Sequence, residues 1–170
     1  MNYFTKKWQK YLKESKNSDF VTKVVMFIGN KILFLLPNYE PYVGSLDLPG
    51  GHTHVGEELA DGLRREVKEE TGLDIKEDTR LFQKDNITYY YTTIKASEAK
   101  KIKLSDEHLD YKLMSLKKLE EGDYKINPDF LAAVQKAQKI KDENKLDLKD
   151  FTQTVILFSI LVPLVKGLCS

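Results

Sequence analysis

The chain carries a single cysteine, Cys169, among its 170 residues. An intramolecular disulfide and any site built from several thiolates, zinc fingers included, are therefore excluded, and the composition fits a reducing compartment. A charge bias is also missing, since 27 Lys+Arg stand against 26 Asp+Glu for a formal net charge of +1. No global field points to nucleic acid or an anionic membrane, so any such binding must be local. The first residues, MNYFTKKWQKYLKES, alternate lysines with aromatics and lack the uninterrupted apolar stretch of a secretory signal. Export is not expected, and a cytoplasmic location is. No internal repeat is present. What remains is 41% hydrophobic and 31% charged, a balance that describes a soluble globular chain with one ordered core and appendages.

Composition divides the chain at about residues 20 and 145. Over 1–20, Phe4, Trp8, Tyr11 and Leu12 fall on one helical stripe, with Lys6, Lys7, Lys10 and Lys13 around it. That is an amphipathic arm, able to pack on its own domain or to dock on an anionic surface. Over 146–170 the charged stretch gives way to VILFSILVPLV at 155–165. This run is shorter than the roughly 20 residues that span a bilayer, and Pro163 disfavours a continuous helix through it. Packing, homo-oligomer formation and membrane contact through 155–165 are the readings for this tail. Cys169 is second from the end, so the prenylation pattern is absent.

Between these ends, Val21–Ile28 and Ile32–Leu36 are rich in large and β-branched apolar residues around a Gly29-Asn30 turn, which predicts a hairpin. A short strand ends at Pro49-Gly50-Gly51, where the chain must turn sharply. Leu59, Leu63 and Val67 recur every four residues up to Gly72, predicting a helix from about Glu57 to Thr71 with a glycine cap. Further strands are expected at 81–82, 87–94 and 109–114, and helices at 115–120 and 129–141. Helices inserted between strands that need not be parallel point to an α/β sandwich and not to a doubly wound sheet.

The chemistry is concentrated in the helix 57–71. At roughly 100° per residue, Glu66, Glu69 and Glu70 fall within an arc of about 100° and put three carboxylates on one face. Like charges at these spacings repel and raise one another's pKa, so a positive group should compensate. Hard oxygen donors suit Mg²⁺, or Mn²⁺ in its place, with coordination positions left for water and phosphate oxygens.

From Gly51 to Leu73 the sequence reads GHTHVGEELADGLRREVKEETGL. It resembles the signature of the Nudix hydrolase family, G-x5-E-x7-R-E-U-x-E-E-x-G-U with U aliphatic. Gly51, Glu57, Arg65, Glu66, Val67, Glu69, Glu70, Gly72 and Leu73 fill every fixed position. The resemblance extends over about residues 21–145 and implies a Nudix-type α/β/α sandwich with a mixed sheet. It also implies divalent-cation-dependent hydrolysis of a nucleoside diphosphate linked to another moiety. On the matching positions, Glu66, Glu69 and Glu70 are implied as metal ligands, with the Gly50 carbonyl as a further one and Glu57 as a weaker one. Arg65 is implied to orient the acidic cluster through a salt bridge.

Attack of an activated water on phosphorus requires a carboxylate to take the proton. Glu66 is the first candidate and Glu107, in the segment SDEH, the second. His52 and His54, at the entrance to the helix, are candidates for phosphate contact. Tyr89 lies 16 residues past Leu73, where a tyrosine resembles the marker of diadenosine polyphosphate hydrolases, and it is the candidate base-stacking residue. Thr88 stands near the place where ADP-ribose pyrophosphatases carry a proline. Leu113 and Leu46 depart from relatives that are often aromatic there. The expected substrates are dinucleoside polyphosphates. Alternatives are modified nucleoside triphosphates, RNA 5′-pyrophosphate ends aided by the basic arm, and a nucleotide-sensing module without turnover.

Overall fold

A computed structural model describes the backbone of residues 17–168 and the side-chain environments of residues 19–148. The expected helical arm lies outside the described residues up to residue 16. The next four residues, expected as its end, instead open strand β1 (Asn17–Ile28). Asn17 there pairs with His54 of the short strand β4 (His52–His54), and this pairing extends the strand beyond its apolar stretch.

A tight turn leads from β1 into the antiparallel strand β2 (Lys31–Pro37), pairing Ile28 with Lys31 as the Gly29-Asn30 signal predicts. β3 (Ser45–Leu46) and β4 precede helix α1 (Leu59–Thr71). After it come β5 (Thr79–Lys84), β6 (Ile87–Ile94), a 3-10 turn at Ala96–Lys101 and β7 (His108–Met114). Helix α2 (Leu116–Glu121), β8 (Lys125–Ile126) and helix α3 (Pro128–Leu168) complete the order. The main sheet runs β5-β6-β1-β2-β7, with β4 on β1, and β3 pairs with β8 in a second sheet. It is mixed, because β1 and β6 are parallel while β2, β4 and β7 join by antiparallel pairs.

β1 explains the layering. Val24, Met26 and Ile28 alternate with Val25 and Phe27, and all five are buried, as a strand covered on both faces requires. On one face Val24, Met26, Leu33 and Leu35 pack with Leu63 and Val67 of α1 and with Tyr90. On the other, Tyr89 stacks on Phe82 and meets Phe130 of α3 edge-on. Helices on both faces of a mixed sheet give the expected α/β sandwich.

Two expectations shift. Helix α1 starts at Leu59, two residues late, because the Glu57 side chain ties the preceding turn by accepting from the His54 N–H at 2.8 Å. Helix α3 runs through Pro163 without the expected break. The segment KIKDENKLDLKD holds no glycine or proline to stop a helix, and one proline removes only one of its hydrogen bonds. The chain clusters into two compact units, Met1–Gln135 and Lys136–Ser170. Among the described residues no helix is long and apolar enough to cross a membrane.

Candidate active site

Helix α1 turns its apolar stripe, Leu63 and Val67, into the core, and the carboxylates border that stripe. Their exposure is graded: Glu70 is 7% exposed, the Glu66 side chain 16% and the Glu69 side chain 41%. All three line one cavity of about 910 Å³. Gly72 closes the helix in the left-handed conformation, its N–H bonding to Lys68 O.

Arg65 clamps this face. Its Nε and Nη2 donate to the two oxygens of Glu57 at 3.0 and 2.9 Å, and Nη2 also reaches His52 O at 2.9 Å. Nη1 donates to Glu66 Oε1 at 2.5 Å and lies 3.7 Å from Glu69 Oε1. A planar fork that meets three carboxylates and a carbonyl fixes direction as well as charge. The bonds from Arg65 lower the Glu57 pKa to about 2. Arg65 itself is held further above its ordinary range by Glu57 and Glu66.

The opposite edge of the carboxylate face meets the turn at Pro49-Gly50-Gly51. The Gly50 N–H donates to Glu70 Oε2 at 2.7 Å. Gly50 has φ 121°, and a Cβ there would stand 2.2 Å from Thr22 O, so no other residue fits. A Cβ at Gly51 would approach Glu66 Oε2 to 2.7 Å. The glycines thus let backbone and carboxylates share one small space.

Two residues of this space, Lys23 and Asp47, were not picked out by the sequence reading, and a third, His108, reads from sequence as a loop or strand-edge residue. Lys23 Nζ donates to both Asp47 oxygens and to Leu48 O, each at 2.9 Å. Burial opposes its charge, but Asp47 and Glu70 outweigh that and raise its pKa. His108 places Nε2 3.8 Å from Glu70 Oε1 and Nδ1 3.4 Å from Ser105 Oγ, and burial lowers its pKa. The available signal was a lysine immediately before the apolar run VVMFI and its partner three residues before Gly50. Burial lifts the Glu70 pKa to about 8; Lys23 and the Gly50 N–H pull it down, and the Asp47 and Glu66 charges push it up.

Of the other expected residues, Glu107 and His52 line the cavity together with Gly50. Glu107 is exposed and lies at the end of the 105–108 loop, which Asn38 ties to β2 through its N–H to Glu107 O at 3.0 Å. Three expectations are corrected. Tyr89 is 1% exposed and does not line the cavity, because the alternation of β6 points it at Phe82, 4.7 Å away between ring centroids. Its ring is packed in the core and offers no face to a base. Glu57 is not in the cavity wall either, and both its oxygens are taken by Arg65 and the His54 N–H, so it positions Arg65 and is no ligand candidate. His54 turns towards Glu57, with Nδ1 3.9 Å from Oε2, and away from the cavity.

The remaining donor set fits a hard divalent cation. Among the described residues no three His, Cys, Asp or Glu side chains already converge on one point. Arg65 draws Glu66 and Glu69 to itself, and the Gly50 N–H holds one Glu70 oxygen. Yet Glu70 is a buried carboxylate beside two others, and the burial and repulsion that lift its pKa are what a nearby dication would offset. Carboxylate oxygens with a backbone carbonyl nearby are the donors such an ion takes.

The profile of the NUDIX domain matches residues 21–134. An ADP-ribose pyrophosphatase of Methanocaldococcus jannaschii is 46% identical over 44 residues, a stretch that spans 26% of this chain and 26% of that protein. The solved structure of a C. elegans Ap4A hydrolase binary complex superposes with TM-score 0.58 at 21% identity, covering 72% of this chain and 97% of that one. The NUDIX domain of Shewanella oneidensis NrtR complexed with ADP ribose gives TM-score 0.59 at 17% identity, covering 82% and 98%. At these identities the two structures speak for the fold alone. The domain match covers most of the chain and includes the whole carboxylate helix: this protein belongs to the Nudix family.

Proposed function

We propose that the enzyme is a Mg²⁺-dependent pyrophosphohydrolase that cleaves a phosphoanhydride of nucleoside diphosphate-X substrates, with dinucleoside polyphosphates as the favoured class. The observation that carries this reading is the meeting of Glu66, Glu69 and Glu70 with Glu107 in one cavity. Its volume of about 910 Å³ lies at the upper end of the range of roughly 300–1,000 Å³ usual for ligand pockets, room for an extended, two-ended substrate. The names of two relatives, an ADP-ribose pyrophosphatase and an Ap4A hydrolase, describe substrates of this kind. ADP-ribose is the second reading, favoured by the 46% identity to the first of these.

Glu66, Glu69 and Glu70, with the Gly50 carbonyl, would hold the cation, and Mn²⁺ would substitute for Mg²⁺. Bound there, the ion supplies Lewis acidity that stabilises charge developing on phosphate oxygens. The chain's own groups do the rest. The pairing of Arg65 with Glu66 and Glu69 fixes where those carboxylates sit, and Glu57 keeps Arg65 in place. A water attacks phosphorus, the new P–O bond forms as the bridging P–O bond breaks, and the leaving phosphate departs. Two carboxylates that line the cavity, Glu66 on α1 and Glu107 in the loop before β7, are the candidates to take the water's proton. His52 lies at the cavity edge, where it can contact phosphate.

A substrate panel tests this: dinucleoside polyphosphates, ADP-ribose and nucleoside triphosphates, each with Mg²⁺, Mn²⁺ or chelator. Release of mononucleotide from the first group, lost with chelator, is expected; faster turnover of triphosphates would overturn the substrate class. Glu107→Gln should cost about 10²- to 10⁴-fold in kcat with Mg²⁺ affinity unchanged if Glu107 is the base; a parent-like kcat there assigns the base to Glu66, whose glutamine variant should lower Mg²⁺ affinity as well.

A further inference from the structure

Lys23 and Asp47 put a pair of charges where the fold does not require one. Their side chains are 11% and 15% exposed, and the five residues that follow Lys23 on β1 are all apolar and buried. A buried ion pair adds little net stability, because desolvation of both charges offsets their attraction. Apolar side chains of similar volume commonly do as well or better. Core stability therefore does not account for this pair, and its contacts supply another reason for it.

An ammonium group has three N–H donors, and Lys23 uses all three, two on the Asp47 carboxylate and one on Leu48 O, each at 2.9 Å. Phe130 covers it from α3, its ring centroid 5.8 Å away. No N–H remains for a phosphate, so Lys23 ties protein to protein. What it ties is the chain entering the Pro49-Gly50-Gly51 turn. The β1 backbone grips that turn on either side of Lys23: Thr22 N–H donates to Gly51 O and Val24 N–H to Pro49 O, both at 2.9 Å. Asp47 is also locked to β2, exchanging two backbone bonds with Leu35 at 2.9 Å.

These ties matter because two successive glycines have no side chains of their own to fix their peptides. Gly50 nevertheless has to hold φ at 121° for its N–H to reach Glu70 Oε2 at 2.7 Å. We propose that the Lys23–Asp47 pair is a positioning device for the cation site: it holds the turn in the conformation in which Gly50 meets Glu70, and affinity for the divalent cation depends on it. The proposal deepens the metal-dependent reading above and rests on it for the cation.

The test is the double variant Lys23→Met/Asp47→Leu of the full chain, in which one positive and one negative charge leave together and their long-range effects on a cation largely cancel. Its melting temperature in chelator should lie within about 5 °C of the parent's, since an apolar pair replaces the ionic one. Amide exchange at Gly50, also in chelator, should quicken about tenfold or more, while that at Val67 inside α1 stays unchanged. Mn²⁺ affinity, titrated by electron paramagnetic resonance, should fall about 10- to 100-fold, the range usual when an outer partner of a metal site is lost. A purely structural pair would move the melting temperature and neither of the other two. Should the double variant not fold, Asp47→Asn keeps the shape but loses a charged acceptor, and Gly50 exchange should again quicken about tenfold. Parent-like Mn²⁺ affinity or parent-like Gly50 exchange in the folded variant overturns the proposal. A parent that binds no Mn²⁺ overturns the metal-dependent reading, and exchange at Gly50 still decides whether the pair places the turn.

Discussion

On the α1 wall of the cavity, Glu66 and Glu70 accept hydrogen bonds from groups within about 20 positions of them, Arg65 and the Gly50 N–H. A second part of the lining is assembled from Tyr39, Tyr42, Glu107 and Lys125, which come from three separate stretches of chain and are exposed. The first wall is rigid and short-range, suited to holding charges at fixed separations. The second is long-range and open, suited to a substrate whose moieties differ. Chemistry and recognition thus rest on different kinds of structure, and substitutions should separate them.

The largest effect should come from the rigid wall. Glu70→Gln is expected to lower kcat by about 10²-fold or more, because it removes a charged oxygen from where phosphate charge is to be balanced. The same change should stabilise the protein in chelator. The folded pKa of about 8 lies above the ordinary 4.5, so over that window the folded protein holds a proton that the unfolded chain has lost. Stability therefore falls as pH rises from 4.5 to 8, and the glutamine escapes this loss. Melting curves at pH 6 and 9 should show the variant's advantage growing with pH; an advantage that shrinks would contradict the placement of Glu70.

Arg65→Lys comes next. Lysine has the charge but not the fork, so it cannot meet Glu57, Glu66 and His52 O together. A loss of roughly 10- to 100-fold in kcat/KM is expected, with little change in which substrate is preferred. A change of preference would mean that the two walls are not separable.

Glu57→Gln is a milder test of the same clamp. Its hydrogen bonds to Arg65 should be worth about 2 kcal/mol at pH 7, measured by denaturant unfolding. Since the folded pKa is depressed to about 2 from 4.5, this contribution is full above 4.5 and disappears as pH falls through about 2. The parent and variant curves should converge at the acid end.

The smallest effect belongs to Tyr89→Phe. The Tyr89 hydroxyl is buried without a hydrogen-bond partner, and burial lifts its pKa to about 12. Its removal should leave kcat/KM within about twofold and raise stability by up to about 1 kcal/mol. A marked rise in KM would return Tyr89 to the substrate.

This division also explains what could be read from the chain. Glu66, Glu69, Glu70 and Arg65 lie on one helix, where spacing translates directly into geometry, and the α1 face was legible. The β1–β2 hairpin was legible for the same local reason, as was the glycine cap at Gly72. Tyr89 was misplaced because a spacing identifies a strand position but not which face of the sheet is covered by Phe82 and Phe130. Lys23 and Asp47 escaped notice, and His108 read as a strand-edge residue, because their meeting depends on β1, the turn after β3 and β7 closing around one point. Tyr39 and Tyr42 lie in the loop between β2 and β3, and nothing local says that such a loop borders a cavity.

The Asn38 tie has a consequence for how such an enzyme could change its diet. Because the peptide next to Tyr39 is bonded to the carbonyl of Glu107, the strip that greets the substrate and the strip that faces the reacting phosphate are stitched at one point. A lineage or an engineer that lengthens the tyrosine loop to admit a bulkier guest drags an acidic side chain out of register as well. Productive changes of taste should therefore arrive as paired alterations on both sides of that stitch.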